Sequence, residues 1–319
     1  MKVNKRMLQE LERSLDTFNP EGGKIPIKIL GYGEISLVFE LLNDSEPVAY
    51  KRIPIFDTEK QVKRHIWAYN EYNKLLAQAG LRMPQYDTVW FKDDMNRIQF
   101  YCVQEKIHPD SVGHKIIHKL NPSEIRLLVL LAMREMKKVW GFNKENPVFD
   151  LALDGQISNF ALIDYNPHKP SITPKSKLYY LDTSTPLFRI NGQEAMNAVL
   201  LLKSAPSFLR GILKALFLQD TVDRYYDWRR VSIDLIANFY KEQRPELIPS
   251  LTRLVNKFFQ EEAEEFDIEP ISLEEIKNYY KSDAQMWTIF QAVRRFDRFL
   301  KERVFKKQYN FYLPGKIQR

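Results

Sequence analysis

The feature that most constrains this chain is a change of hydrophobic period near residue 107. Before it, residues 25–30, 37–42, 47–55, 88–91 and 98–103 read as strands, and residues 58–80 carry the spacing of a helix, with Ile66, Tyr69, Leu75 and Leu76 among charges. The order β-β-β-α-β-β predicts one small antiparallel sheet with a single helix. After residue 107 the pattern turns mainly helical. Asn121-Pro122-Ser123-Glu124 has the cap, the first-turn proline and the acidic third residue of a helix start. Residues 147–190 form an irregular, strand-rich stretch holding most of the unusual polar residues. From residue 194 to 304 the chain reads as helices broken near Pro206, Pro245 and Pro270.

The expected fold is therefore α+β with two lobes, since 319 residues are long for a single core. Residues 25–107 would be the β-rich lobe and residues 108–319 the larger helical lobe. Residues 1–24 would be a leader, with Met7, Leu8, Leu11 and Leu15 on one helix face.

Charge and cysteine content exclude some functions. The net charge of +7 invites a nucleic-acid partner, but acidic residues such as Glu261, Glu262, Glu264 and Glu265 interrupt the basic ones. A basic stripe with interleaved aromatics is missing, so nucleic acid is not the expected partner. Cys102 is the only cysteine, which excludes an intramolecular disulfide and a cysteine-based metal site and suits a reducing cytoplasm. The first residues lack a signal peptide's apolar stretch, and the run from Leu127 to Met133 is too short to span a bilayer. A cytoplasmic location away from membranes is expected; the oligomeric state is not legible.

Five short motifs carry the candidate chemistry. Gly31-Tyr32-Gly33-Glu34-Ile35-Ser36-Leu37-Val38 joins two strands, and its glycines let backbone N–H groups approach phosphate oxygens. The same pattern also marks a plain tight hairpin. Lys51 sits in the apolar strand Val48-Ala49-Tyr50-Lys51-Arg52, and twenty residues on Glu71 lies in the predicted helix. A lysine that clamps phosphates needs orienting, which an ion pair with a helix glutamate supplies; each could equally be a solvated charge. Gln104, Glu105 and Ile107 end the last strand where the lobes meet. Backbone groups there could hydrogen-bond a flat base. Asp154 leaves the apolar run Leu151-Ala152-Leu153, with Asn159 five residues on, a pattern shared with Asx-rich hairpin loops. Finally, Asp182 ends the apolar strand Leu178-Tyr179-Tyr180-Leu181, and carboxylate and amide oxygens suit magnesium.

In this order the five motifs resemble the protein-kinase-like superfamily. Gly31 to Val38 is similar to its glycine-rich loop, with Ser36 in place of the third glycine. Lys51 and Glu71 resemble the strand lysine and its helix partner, and Gln104 to Ile107 the hinge. Asp154 and Asn159 match the Asp-x-x-x-x-Asn spacing of the catalytic loop, and Asp182 the metal-binding aspartate. Ala152-Leu153 replaces the His-Arg of protein kinases, Thr183-Ser184 replaces Phe-Gly, and no Ala-Pro-Glu follows. The resemblance is thus closer to small-molecule kinases of the aminoglycoside, choline or homoserine type. It implies an ATP- and magnesium-dependent phosphotransferase acting on a small hydroxyl-bearing acceptor. The alternative is a pseudokinase-like binding or scaffolding module without turnover.

Two further features read more plainly. His114 and His118 are four apart, but without a third ligand they suit solvated or capping roles. The basic, aromatic tail from Arg298 onward, with Phe299, Phe305, Tyr309, Phe311 and Tyr312, is expected to be a helix packed on the large lobe.

Overall fold

Strands β1 (Ile27–Tyr32), β2 (Leu37–Leu41) and β3 (Val48–Arg52) are followed by helix α2 (Glu59–Gln78) and then by β4 (Tyr86–Lys92) and β5 (Ile98–Glu105). Helix α1 (Lys5–Ser14) precedes them all. These elements belong to a computed structural model that describes residues 1–33 and 35–313, apart from the side chains of Leu216 and Phe217. The five strands form one sheet in the order β1-β2-β3-β5-β4, antiparallel throughout. The β-β-β-α-β-β expectation holds.

Strand β5 lies inside the sheet, and its first six residues are all buried. Successive side chains alternate between two cores, as a pleated strand requires. Tyr101 and Val103 join Phe39, Tyr50, the α1 residues Leu8 and Leu11, and Leu15 just after that helix on one face. Phe100 and Cys102 join Val62 and Tyr69 of α2 on the other. The leader helix is thus part of the small lobe's own core. Its Glu12 is buried there against Arg52, with an Nε–Oε1 separation of 2.6 Å.

The larger lobe begins with the short helix α3 (Gly113–Ile116) and the long α4 (Pro122–Glu145). Asn121 caps α4 and Glu124 returns the bond, the reciprocal box expected from the sequence. Three short strand segments follow: β6 (Phe149–Leu151), β7 (Phe160–Leu162) and β8 (Leu178–Tyr180). Strand β9 (Phe188–Ile190) pairs with β6 on one side and with β10 (Gln193–Glu194) on the other, whereas β7 pairs with β8. Helices α5 (Ser207–Leu213), α6 (Gln219–Asp223), α7 (Trp228–Lys241), α8 (Ile248–Glu261) and α9 (Leu273–Phe299) complete the lobe. Trp228 of α7 stacks on Trp140 of α4 at 5.3 Å and meets Phe258, Phe259 and Phe266 edge-on, which centres the helical core on α7.

The tail departs from expectation. Tyr309 and Phe311 are buried mainly with Ile53, Ile55, Phe56 and Phe100 of the small lobe, and they meet the large lobe at Leu200 and through the Tyr309 hydroxyl, which donates to the Ser204 carbonyl at 3.4 Å. The 27-residue α9, about 40 Å long, carries the chain from the helical lobe to the sheet. Among the described residues no helix is long and apolar enough to cross a membrane.

Candidate functional site between the lobes

The two lobes meet where β3, α2 and the loops after β6 and β8 converge. Lys51 points from β3 across this seam, and its Nζ lies 2.8 Å from Oδ1 of Asp182, just beyond β8. Both side chains are about a quarter exposed, so the pair is reachable from solvent. Burial pushes the Asp182 carboxyl upward, but the Lys51 ammonium and hydrogen bonds from Ser184 outweigh it and hold the group below the usual carboxylate range.

Backbone and amide bonds tie the remaining polar residues to this pair. Leu181 N–H donates to the Asn159 carbonyl at 2.8 Å. Asn159 Nδ2 donates to the Asp154 carbonyl at 3.1 Å. Gln104, at the end of β5, donates through Nε2 to the Leu181 carbonyl at 2.9 Å. Asp154, Asn159 and Asp182 therefore form one connected unit with the last strand of the small lobe. The Asp154 loop is braced further. Its own N–H donates to the Tyr180 hydroxyl at 3.1 Å, and the Tyr72 hydroxyl of α2 donates to the Ala152 carbonyl at 2.7 Å.

Asp154 is half-buried, and Gln156 N–H donates to its Oδ1 at 3.0 Å. Burial, reinforced by the Asp234 and Asp182 carboxylates, pushes its carboxyl up to about 7. Asp234 lies on α7, where burial also raises its carboxyl, against the pull of Arg224. Gln156 reaches it through Nε2 at 3.3 Å, so this one residue touches both carboxylates.

The Lys51–Glu71 pair expected from the sequence is not made. Glu71 bonds Lys74 on its own helix, at 3.1 Å. The reason is helical phase: residues 65, 69, 72 and 76 share the buried face of α2, and position 71 lies about 200° around the helix from 69. His65 and Tyr69 occupy the face turned toward Lys51 and Asp182. Burial, aided by the Lys51 charge, takes the His65 imidazole down to about 4, so it is neutral at physiological pH.

The glycine motif forms the β1–β2 hairpin. Gly31 pairs with Val38 and Tyr32 with Leu37, and Gly33 N–H donates to the Ser36 carbonyl at 3.0 Å. A Cβ on Gly33 would come within 2.9 Å of Ser36 Oγ, which a turn of the serine side chain would relieve, and Gly31 has open space. Val38 is also the register partner of Lys51, which places the hairpin directly beside the lysine strand. Glu34 lies outside the described residues.

The hinge is only partly free for a ligand. Glu105 N–H donates to Gln85 and Lys106 N–H to Pro47, at 2.8 and 2.7 Å, so those two donors are taken. Ile107, the next residue, has no backbone partner for its N–H among the described residues.

The residues fit a magnesium ion that arrives with a nucleotide better than a resident metal. Among the described residues no three His, Cys, Asp or Glu side chains gather in metal-holding geometry. Asn159 spends its amide N–H on Asp154, which leaves Oδ1 as its acceptor, and Asp182 adds a carboxylate. Magnesium takes one or two such oxygens and completes its shell with phosphates and water.

Sequence reasoning missed His65, Tyr69, Tyr72, Tyr180, Gln156 and Asp234. The helical spacing of 65, 69 and 72 is a legible signal of the buried face, on which the charge at 71 does not lie. Gln156 and Asp234 are far apart in the chain and gave no local signal.

Fold and site together define a two-lobed α+β protein with a lysine–aspartate cleft. Residues 10–298 match the family described as "Family of unknown function (DUF6206)", and the chain belongs to that family. No curated protein matches it. A solved structure described as "WaaP in complex with acyl carrier protein" is similar at 15% identity, over 64% of this chain and 90% of that one, with a TM-score of 0.32. A likeness that distant leaves the site to be read from its own geometry.

Proposed function

We propose that the chain is an ATP-dependent phosphotransferase whose acceptor is a hydroxyl group on a small molecule. The observation that supports it best is the ion pair Lys51–Asp182 joined through Leu181 and Asn159 to the Asp154 loop. Phosphoryl transfer asks for positioning and charge neutralisation more than covalent chemistry. Lys51 would turn from Asp182 to the phosphate oxygens, beneath the hairpin of Gly31, Tyr32, Gly33 and Ser36. The backbone at Ile107 would meet the base. Asn159 and Asp182 would hold magnesium, which when bound offsets phosphate charge. Asp154 would take the acceptor's proton while the hydroxyl oxygen bonds to the γ-phosphorus and the bond to the β-phosphate oxygen breaks, releasing ADP. A base near pH 7 suits that task.

Calorimetry with ATP and magnesium, beside a phosphotransfer or slow ATPase assay, tests the reading. Asp182→Asn should weaken magnesium-dependent ATP binding. Asp154→Asn should leave binding nearly intact and lower turnover ~10²–10⁴-fold. No nucleotide binding by the intact protein would sink the enzyme hypothesis. The second reading, a binding module without turnover, is favoured by one observation: Glu71 does not orient Lys51. Nucleotide binding with turnover indifferent to Asp154 would select it.

A further inference from the structure

The hairpin beside the Lys51 strand is met by a segment far along the chain. After α9 the chain crosses to the small lobe, where Tyr309 is fully buried and Phe311 nearly so. Several hydrogen bonds to carbonyls and side chains fasten the crossing. Thr17 Oγ1 donates to the Tyr309 carbonyl at 2.8 Å and Arg52 Nη1 to the Asn310 carbonyl at 2.7 Å. Arg97 Nη1 reaches Asn310 Oδ1 at 3.3 Å, and the fully buried Arg294 of α9 donates to the Tyr312 carbonyl at 2.8 Å. Held this way, the Tyr312 ring sits 5.6 Å from the Tyr32 ring, tilted at 56°. Tyr32 is the residue between the two glycines. Leu313 and Ile35 also pack at the edge of one shared apolar cluster.

We propose that residues 308–313 form a positioning segment that holds the glycine hairpin in place beside the Lys51 strand. The inference rests on the reading of the cleft as a nucleotide site. Its physical basis is support: glycines make the hairpin pliant, and a Cβ at Gly31 would meet nothing. Tyr32 meets the tail directly, and Ile35 packs on the apolar cluster that includes Tyr309 and Phe311. Arg52 follows Lys51 on β3, so one strand carries both the lysine and the tail's anchor. The grip on phosphates would thus depend on a segment remote in sequence from every other part of the site.

The experiment uses the full chain and its Tyr312→Ala, Tyr312→Phe and Tyr32→Ala variants. Hydrogen exchange without nucleotide reads the β1–β2 hairpin, and calorimetry with magnesium reads ATP affinity. Tyr312→Ala should speed exchange in the hairpin, leave α7 unchanged, and weaken ATP about 3- to 10-fold, the range of one lost aromatic pair. Tyr312→Phe should restore both, because the ring and not the hydroxyl makes the contact. Tyr32→Ala reaches the same contact from the exposed side, so it serves if the tail variant misfolds, and the double variant should add nothing. Unchanged hairpin exchange in Tyr312→Ala, or a looser hairpin with unchanged ATP affinity, overturns the proposal. If the intact protein binds no ATP, the nucleotide reading falls, while the exchange comparison still decides whether the tail holds the hairpin.

Discussion

Lys51 and Arg52 are neighbours on one strand, yet they make ion pairs of opposite character on opposite sides of the sheet. Lys51 faces the cleft and meets Asp182 with both side chains about a quarter exposed, at 25% and 26%. Arg52 faces the α1 side, where it and Glu12 keep only 5% and 3% exposure. Arg52 also donates to Gln99 Oε1, and the Tyr101 hydroxyl bonds Glu12, so the inner pair is saturated with partners. The cleft pair retains open approach and can exchange its partner for a ligand. Exposure separates the two roles: a pair in contact with water can be opened at little cost, whereas a dry one cannot.

The largest effect should come from breaking the inner pair. Arg52→Met leaves Glu12 charged and buried without its cation, and should destabilise the protein by about 3–5 kcal/mol in urea denaturation. Replacing both partners, Glu12→Leu with Arg52→Met, should recover a substantial part of that loss. No recovery would mean that Gln99 and the tail, not the charge pair, hold α1 in place.

A smaller effect should appear at Asp154, and only above acid pH. Burial, chiefly, raises its folded carboxyl from the ordinary 3.8 to about 7. Between those values the folded state binds more proton than the unfolded one, so this group's contribution to stability falls as pH rises and is lowest above 7. Asp154→Asn removes the titration. The variant should gain about 1–2 kcal/mol over the parent at pH 8, with solvent in the cleft screening the rest, and the gain should vanish below pH 4. A pH-independent difference would contradict the burial of Asp154. In turnover the sign is opposite: the parent should be faster above pH 7, where the base is unprotonated.

The smallest change in stability should follow Lys51→Met. The pair is a quarter exposed, so its loss should cost no more than about 1 kcal/mol, yet ATP affinity should fall sharply if the lysine holds phosphate. Glu71→Gln should alter neither, because Glu71 bonds only its helix neighbour Lys74. Loss of ATP affinity in Glu71→Gln would show that α2 rotates when nucleotide binds and would revive the expected lysine–glutamate pair.

The amino-acid sequence by itself determined the parts that depend on local period and local chemistry. The five strands and α2 follow from alternation and helical spacing, the start of α4 from its capping box, and the hairpin from two glycines between strands. It also singled out Lys51, Asp154, Asn159 and Asp182, which the fold brings into one connected group. What tertiary structure alone decided is partner choice. Which side chain of α2 faces Lys51 depends on the helix's rotation against the sheet, and that rotation is set by burying residues 65, 69, 72 and 76. The tail's aromatics fit either lobe by composition. Where they settled depended on the length of α9 and on Thr17, Arg52 and Arg294, all distant in sequence. Contacts between residues far apart in the chain leave no periodic trace, because each partner's own neighbours are shaped by the element it sits in.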